Sequence, residues 1–541
     1  MNTKIAISVF MLFLALSCTR VEQVDTLLYN ATFYTLDSLQ PEASVIAIKD
    51  QRIVAVGQQS LLDRFEANER IDLEGAFAYP GLIDAHCHFY QLGLNESRLS
   101  LLGTQTFEEI VDRIKAFDAQ YAPSVLYAWG WDQNDWPTAE FPVNTLLNEL
   151  FPDRPVVLRR IDGHAYLVND YALNLAGITV YTEVEGGAIL KKANRLTGVL
   201  IDGPMRLIDE SLPEMDRDSQ VRALLAAQQI AFENGLTTVN DAGLSRSVIE
   251  LIDSLHQTGD LKMRVYAMIS ASKDQLDYYL DRGPVKTPRL NVRSFKVYAD
   301  GALGSRGAAL KEPYADDHEH YGAIVTPLEE MQSIAERLAK SDFQMNTHAI
   351  GDSANYFVLD LYERVLSNPA KVRWKIEHAQ VVDEADFDRF AQGIIPSVQP
   401  THATSDMYWA EDRLGAERIK GAYAYQALLQ RAKMLALGTD FPVEQVSPLL
   451  TFYAAVARQD LSGFPSRGYF AEQALTREQA LKGMTTWAAY SNFEEHEKGM
   501  LKPGYYADIT VLSHDLMRIN LSEIPKVAVK LVFLAGERVK D

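Results

Sequence analysis

The chain predicts an α/β fold: a (β/α)8 TIM barrel with a small composite β-sandwich built from both termini and an α/β subdomain inserted after the first barrel strand. Three observations carry this. Eight near-continuous apolar, β-rich runs alternate with helical stretches, the pattern of parallel strands buried on both faces. The ends of these runs are where histidines and a carboxylate gather, as the active face of a barrel would require. Alternating strand-like segments lie at both ends of the chain, outside the eight runs. The 541 residues are 47% hydrophobic, ample for a large core.

The first residues read as a targeting signal. Lys4 supplies a short positive region and Ile5 to Leu16 an apolar run too short for a comfortable membrane span. Ala15-Leu16-Ser17-Cys18 then resembles a bacterial lipoprotein signal. Processing after residue 17 would leave Cys18 as a lipidated terminus, anchoring the protein in the bacterial cell envelope with Thr19 to Gln23 as tether. The bland alternative is an ordinary cleaved signal. The chain has two cysteines, Cys18 and Cys87, so no disulfide framework is expected. A net charge of -21 argues against nucleic acid as a partner and fits plain solubility.

Residues 24–80 alternate apolar and polar, with VIAIKDQRIVAVG (Val45 to Gly57) reading as two strands joined at Asp50-Gln51. ADITVL (from Ala507) and VKLVFLAGERVK (from Val529) have the same character, so residues 497–541 are expected to complete the composite domain. Between them, over 81–496, come the eight runs: LIDAHCH (from Leu82), LTTVND (Leu236), RVYAMIS (Arg264), SFKVYAD (Ser294), FQMNTHA (Phe343), RWKIEHA (Arg373), IIPSVQP (Ile394) and KMLALGTD (Lys433). The gap between the first two is uneven. SVLYAWGWD and PVVLRRIDGH fall within it, so about 98–205 reads as an insert on the first loop of the catalytic face. Its Trp129, Trp131 and Trp136 either wall a substrate pocket or form the insert's core; core is the simpler expectation.

His86 and His88 close the first run. Residues two apart on a strand face the same side, so both imidazoles would reach one place, with Cys87 pointing away into packing. Lys296 lies on the fourth run, His348 ends the fifth, His378 the sixth and Asp440 the eighth. The chain has 11 histidines, and four of them at three strand ends, with a carboxylate at a further one, converge on one mouth of a barrel. Imidazole and carboxylate suit zinc, iron, nickel or manganese rather than magnesium or calcium. Each residue has an ordinary alternative: a core histidine, a helix N-cap for Asp440, an ion pair with Asp300 for Lys296.

PGLIDAHCH, FKVYADGALGSRGA, THAIGD, IEHAQ, GTDFPV and KGMLKPGYYADITVL together resemble the amidohydrolase superfamily. The likeness covers nearly the whole mature chain. It is greatest to amidohydrolase family 3, the subgroup with N-substituted formamide deformylases and many metal-dependent hydrolases. One departure is GSRGA, where the subgroup often has threonine before the alanine. The resemblance implies that His86, His88, His348, His378 and Asp440 hold one or two divalent ions, most simply zinc, with carbamylated Lys296 bridging two. It implies hydrolysis of a C–N bond in a small amide or substituted formamide, Asp440 acting as general base and then acid. The alternatives are an ester or other bond cleaved at the same site, or a lipid-anchored binding protein without catalysis. Of the remaining candidates, His164 in the insert would reach over the site to touch substrate, or lie on a surface loop. Arg306 either binds a substrate carboxylate or braces its loop. His402 stands where it could line the pocket, with no role fixed, and His318 and His320 read as solvated. Membrane contact is expected only through the lipid anchor, and a homodimer is the one oligomer considered.

Overall fold

A computed structural model of the chain describes residues 21–540. The expected signal segment and Cys18 lie outside the described residues. Among those described, no helix is long and apolar enough to cross a membrane.

The barrel strands are β1 (Leu82–Cys87), β2 (Leu236–Leu244), β3 (Arg264–Ser270), β4 (Leu290–Tyr298), β5 (Gln344–Ala349), β6 (Lys375–His378), β7 (Ile395–Val398) and β8 (Ala436–Leu437). They neighbour one another in sequence order and every ladder between them is parallel. All residues of β1, β5, β6 and β7 are buried, as strands covered on both faces require. β8 is short because the chain leaves the ladder at Gly438. Two backbone bonds close the seam beyond it: Asp440 N–H donates to the His86 carbonyl at 2.8 Å, and His88 N–H to the Phe441 carbonyl at 2.8 Å.

The outer helices follow from the same sequence logic. The helix Arg246–Thr258 begins where the Ser245 side chain accepts the Val248 N–H and ends at Gly259, whose φ of +84° suits a residue without Cβ. Val248, Ile249, Leu251, Ile252 and Leu255 form one buried stripe at helical spacing. Each such side chain contributes about 1.5–3 kcal/mol when fully removed from water.

Both termini build one seven-stranded sheet. Glu22–Tyr34, Glu42–Lys49, Arg52–Gly57 and Phe65–Pro80 come from the first part of the chain; Ile509–Leu512, Val529–Leu534 and Glu537–Lys540 come from the last. The join is the antiparallel pairing of 77–80 with 509–512. The composite domain expected from both termini is thus joined by one continuous hydrogen-bonded sheet. One apolar cluster, including Leu28, Ile46, Leu73, Ile509, Val511 and Phe533, runs across both halves, so neither is complete alone. Arg264 on β3 ties this domain to the barrel through Asp508, at 2.7 and 2.9 Å.

The segment after β1 carries its own six-stranded mixed sheet, from Leu99–Ser100 to Arg195–Asp202. Trp131 and Trp136 pack inside its core with Ile110, Leu126 and Leu158. Trp129, in contrast, is half-buried on a cavity wall.

Candidate metal centre

Five strand ends meet at one mouth of the barrel. β1 delivers His86, wholly buried, and His88 beyond it, while Cys87 turns outward so that its Sγ reaches the Asn240 carbonyl. β6 ends in His378 and the loop after β8 brings Asp440. Both adopt left-handed backbone, φ +74° and +62°, a conformation that costs a residue with a Cβ on the order of 1–3 kcal/mol. That expense turns the two side chains into the mouth.

The result is two overlapping triads sharing one carboxylate. His86, His88 and Asp440 offer ligand atoms within 4.8 Å of one another, and so do His378, His402 and Asp440. Asp440 Oδ1 lies 3.2 Å from His88 Nε2 and 3.6 Å from His86 Nε2; Asp440 Oδ2 lies 3.7 Å from His402 Nε2. Lys296 Nζ is 3.2 Å from His86 Nε2. It makes no pair with Asp300, whose carboxylate instead takes the N–H groups of Ala309, Ile350 and Gly351. His348 is adjacent, its ring centre 4.5 Å from that of His378, but its Nε2 faces the Gly301 carbonyl at 3.3 Å and it belongs to neither triad.

The imidazoles are set for ligation. His86 Nδ1 lies 2.6 Å from Glu377 Oε2, His88 Nδ1 3.0 Å from the Ala242 carbonyl, and His378 Nδ1 2.8 Å from Gln399 Oε1. Each partner accepts, so Nδ1 carries the proton and Nε2 keeps a lone pair directed into the cluster. Burial holds His88, His348 and His378 below the ordinary imidazole range, hence neutral. Burial alone would raise the Asp440 carboxyl, but the imidazoles of His88, His86 and His378 packed around it hold it well below its usual value. Burial pushes the Lys296 amine down to about 8, against the pull of Glu377 and Asp440. The buried Asp440 Oδ1 and His402 Nε2 have no hydrogen-bond partner. Unpaired buried polar atoms are costly, and an imidazole–carboxylate set with inward lone pairs is what a divalent transition ion satisfies. The residues present fit such an ion.

Two cavities flank the cluster. The larger, about 960 Å³, is bordered by His88, His164 and Tyr298; the smaller, about 190 Å³, by His348, His378, His402 and Asp440. His164 borders both. Its Nδ1 is held by Asp202 at 2.6 Å and its ring centre lies 5.1 Å from that of His348, so the insert does reach over the site. Arg306 does not. It pairs with Asp316 at 2.8 Å, borders neither cavity, and fulfils the bracing alternative. His320 likewise holds that loop, its Nε2 donating to the Arg306 carbonyl at 2.7 Å.

Glu377, Gln399 and Asp84 were not singled out from sequence. Asp84 takes the Thr439 N–H at 3.0 Å and its hydroxyl at 2.7 Å, fixing the turn that carries Asp440. A usable signal existed for two of them: an acid inside an otherwise apolar buried run (LIDAHCH, RWKIEHA) must be paired or functional.

A model of the amidohydrolase family matches residues 69–540. The chain is similar to the Protein LONG AFTER FAR-RED 3 of Arabidopsis thaliana, 34% identical over 90% of this chain and 87% of that one. It is 31% identical to a putative amidohydrolase, YtcJ, of Bacillus subtilis, over 95% and 99% of the two chains. It is 24% identical to an N-substituted formamide deformylase of Arthrobacter pascens, over 95% and 97%. An uncharacterized metal-dependent hydrolase from Pyrococcus horikoshii has the same fold, with a TM-score of 0.74 and 26% identity over 92% of this chain and 99% of that one.

Proposed function

Given that this chain belongs to the amidohydrolase family and is a metal-dependent hydrolase, we propose that it cleaves a C–N bond, in an amide or N-substituted formamide of small size. Two names among its relatives, an amidohydrolase and a formamide deformylase, support that bond class. The observation that carries the reading is the Asp440 carboxylate lying between two imidazole groups with Oδ1 unpaired.

His86, His88 and Asp440 would hold one ion, and His378 and His402 with the same carboxylate a second position. Zinc suits these donors. When bound, such an ion lowers the pKa of water and polarises a carbonyl oxygen. The side chains do the rest. Asp440, ionised at neutral pH, accepts the proton of the attacking water and returns it to the departing nitrogen, which leaves poorly unless protonated. Glu377 and Gln399 keep the imidazole rings oriented. Lys296, with its amine pushed to about 8, is partly neutral near pH 7 and so open to carbamylation: the amine nitrogen bonds to the carbon of carbon dioxide and releases a proton. His164, above the cluster, is placed to hydrogen-bond substrate.

A panel of N-acyl and N-formyl compounds tests the reading, with wild type and Asp440→Asn compared on every member. The wild type is expected to hydrolyse at least one compound. The variant should keep its circular dichroism spectrum and lose about 10³-fold in turnover. Turnover that survives in Asp440→Asn would refute the acid–base assignment; hydrolysis of esters alone would refute the bond class.

A further inference from the structure

The larger cavity contains a cation that the mechanism does not use. Arg159, on the insert strand Val156–Arg160, borders the cavity together with Trp129, His164 and Tyr298. Its neighbour Arg160 borders the cavity too but is committed to a buried network with Asp132, Asp162 and Gln133. Arg159 has no such network: among the described residues no carboxylate forms an ion pair with it, and its polar surroundings are Tyr166, Tyr127, Asp209 and Tyr298. The Asp209 carboxylate already takes the Tyr166 hydroxyl at 2.9 Å. A second guanidinium, Arg98, lies 3.8 Å over the Tyr127 ring and repels Arg159, so two cations share one acid here.

Three further features direct this cation toward the reaction. Trp129 is the ladder neighbour of Arg159 on the adjacent parallel strand, which puts both side chains on one face of the insert sheet. Its indole N–H is buried and has no acceptor. The guanidinium also lies against Gly163, where a Cβ would come within 2.7 Å of its Nη2, and the next residue is His164, above the metal cluster. Tyr298, which also borders the cavity, has its ring 4.9 Å from Lys296 Nζ. A half-buried guanidinium beside an unpaired indole donor is a ready acceptor site for an anion.

We propose that Arg159 and the Trp129 N–H form a carboxylate subsite, so that the substrate is an amide carrying a carboxylate on the part lodged in the larger cavity. The proposal rests on the hydrolase reading above and narrows its substrate class. A monoanion fits better than a phosphate, because Glu185, Asp209 and Glu330 also border this cavity and would repel a second negative charge.

The test uses the metal-loaded full chain and N-acyl and N-formyl amino acids of aliphatic, aromatic and polar type, each paired with its uncharged methyl amide. Wild type is expected to favour the acids by tenfold or more in kcat/KM. In Arg159→Met that preference should fall to near one, through a KM for the acids raised about 10–100-fold. Arg159→Lys should restore part of it, and Trp129→Phe, which keeps a ring and removes only the donor, should weaken it severalfold. Equal handling of acids and amides by wild type, or an unchanged ratio in Arg159→Met, would overturn the subsite. If no compound is turned over, the C–N hydrolase reading fails, and calorimetry with the same acids decides the subsite. Binding at least tenfold weaker in Arg159→Met upholds it; no binding to wild type, or equal affinity in both, overturns it.

Discussion

Lys375 sits wholly inside the barrel, its Nζ donating to Asn492 Oδ1 at 3.0 Å. Burial pushes its amine down to about 8, against the opposing charges of Glu377 and Glu494. Between pH 8 and the ordinary lysine value the unfolded chain holds a proton that the folded chain does not, so stability rises with pH across that window. Urea midpoints of the metal-stripped protein should therefore climb from pH 8 to 10 relative to those of Lys375→Met. The expected relative gain is on the order of 1–3 kcal/mol; a constant difference between the two would contradict it. At this scale the sequence was partly legible. His86, His88, His378 and Asp440 announce themselves because strand alternation and strand ends decide where a side chain goes. Glu377 and Gln399 act one step removed, by orienting a ring, and nothing in their own spacing reports that. His402 was visible as a pocket residue but not as a donor, since the loop after β7 has no period to read. His348 faces a carbonyl rather than either triad because ring direction depends on χ angles that sequence does not fix.

The seam between β1 and β8 is the element on which the site depends. Gly438 packs directly against the β1 backbone, where an added Cβ would fall 2.5 Å from the His86 nitrogen and 2.7 Å from its carbonyl oxygen. Both are backbone atoms and cannot swing aside. Gly438→Ala is accordingly expected to destabilise the fold by about 1–3 kcal/mol or more and to cut turnover sharply by parting His86 from Asp440. Thermal unfolding with parallel assays checks both effects, and a variant unchanged in each would show that the seam has slack. The eight strands were legible as apolar runs because burial on both faces removes the polar alternation. The order of strands in the insert was not, since its sheet mixes parallel and antiparallel neighbours and its short edge strands carry weak patterns.

The whole molecule joins its two ends in one sheet, so the chain between them is held at both termini. That much could be read from matching strand-like segments at either end. The continuity of the sheet could not, because hydrogen bonding between distant strands leaves no local trace. Residue 22 begins this sheet, only four positions after Cys18, so a lipid on that cysteine would hold the composite domain close to the membrane surface. Cys18→Ser is expected to move the protein from the membrane fraction to the soluble one. Persistence in the membrane fraction would exclude the anchor.

The central claim is that side chains scattered from His86 to Asp440 make one ion site. Elemental analysis of the purified full chain, beside the His86→Ala and His88→Ala double variant, tests it most directly. We expect at least one equivalent of a divalent transition metal per wild-type chain, and its loss together with turnover in the variant. Equal metal content in both proteins, or full turnover by wild type stripped with chelator, would contradict the account.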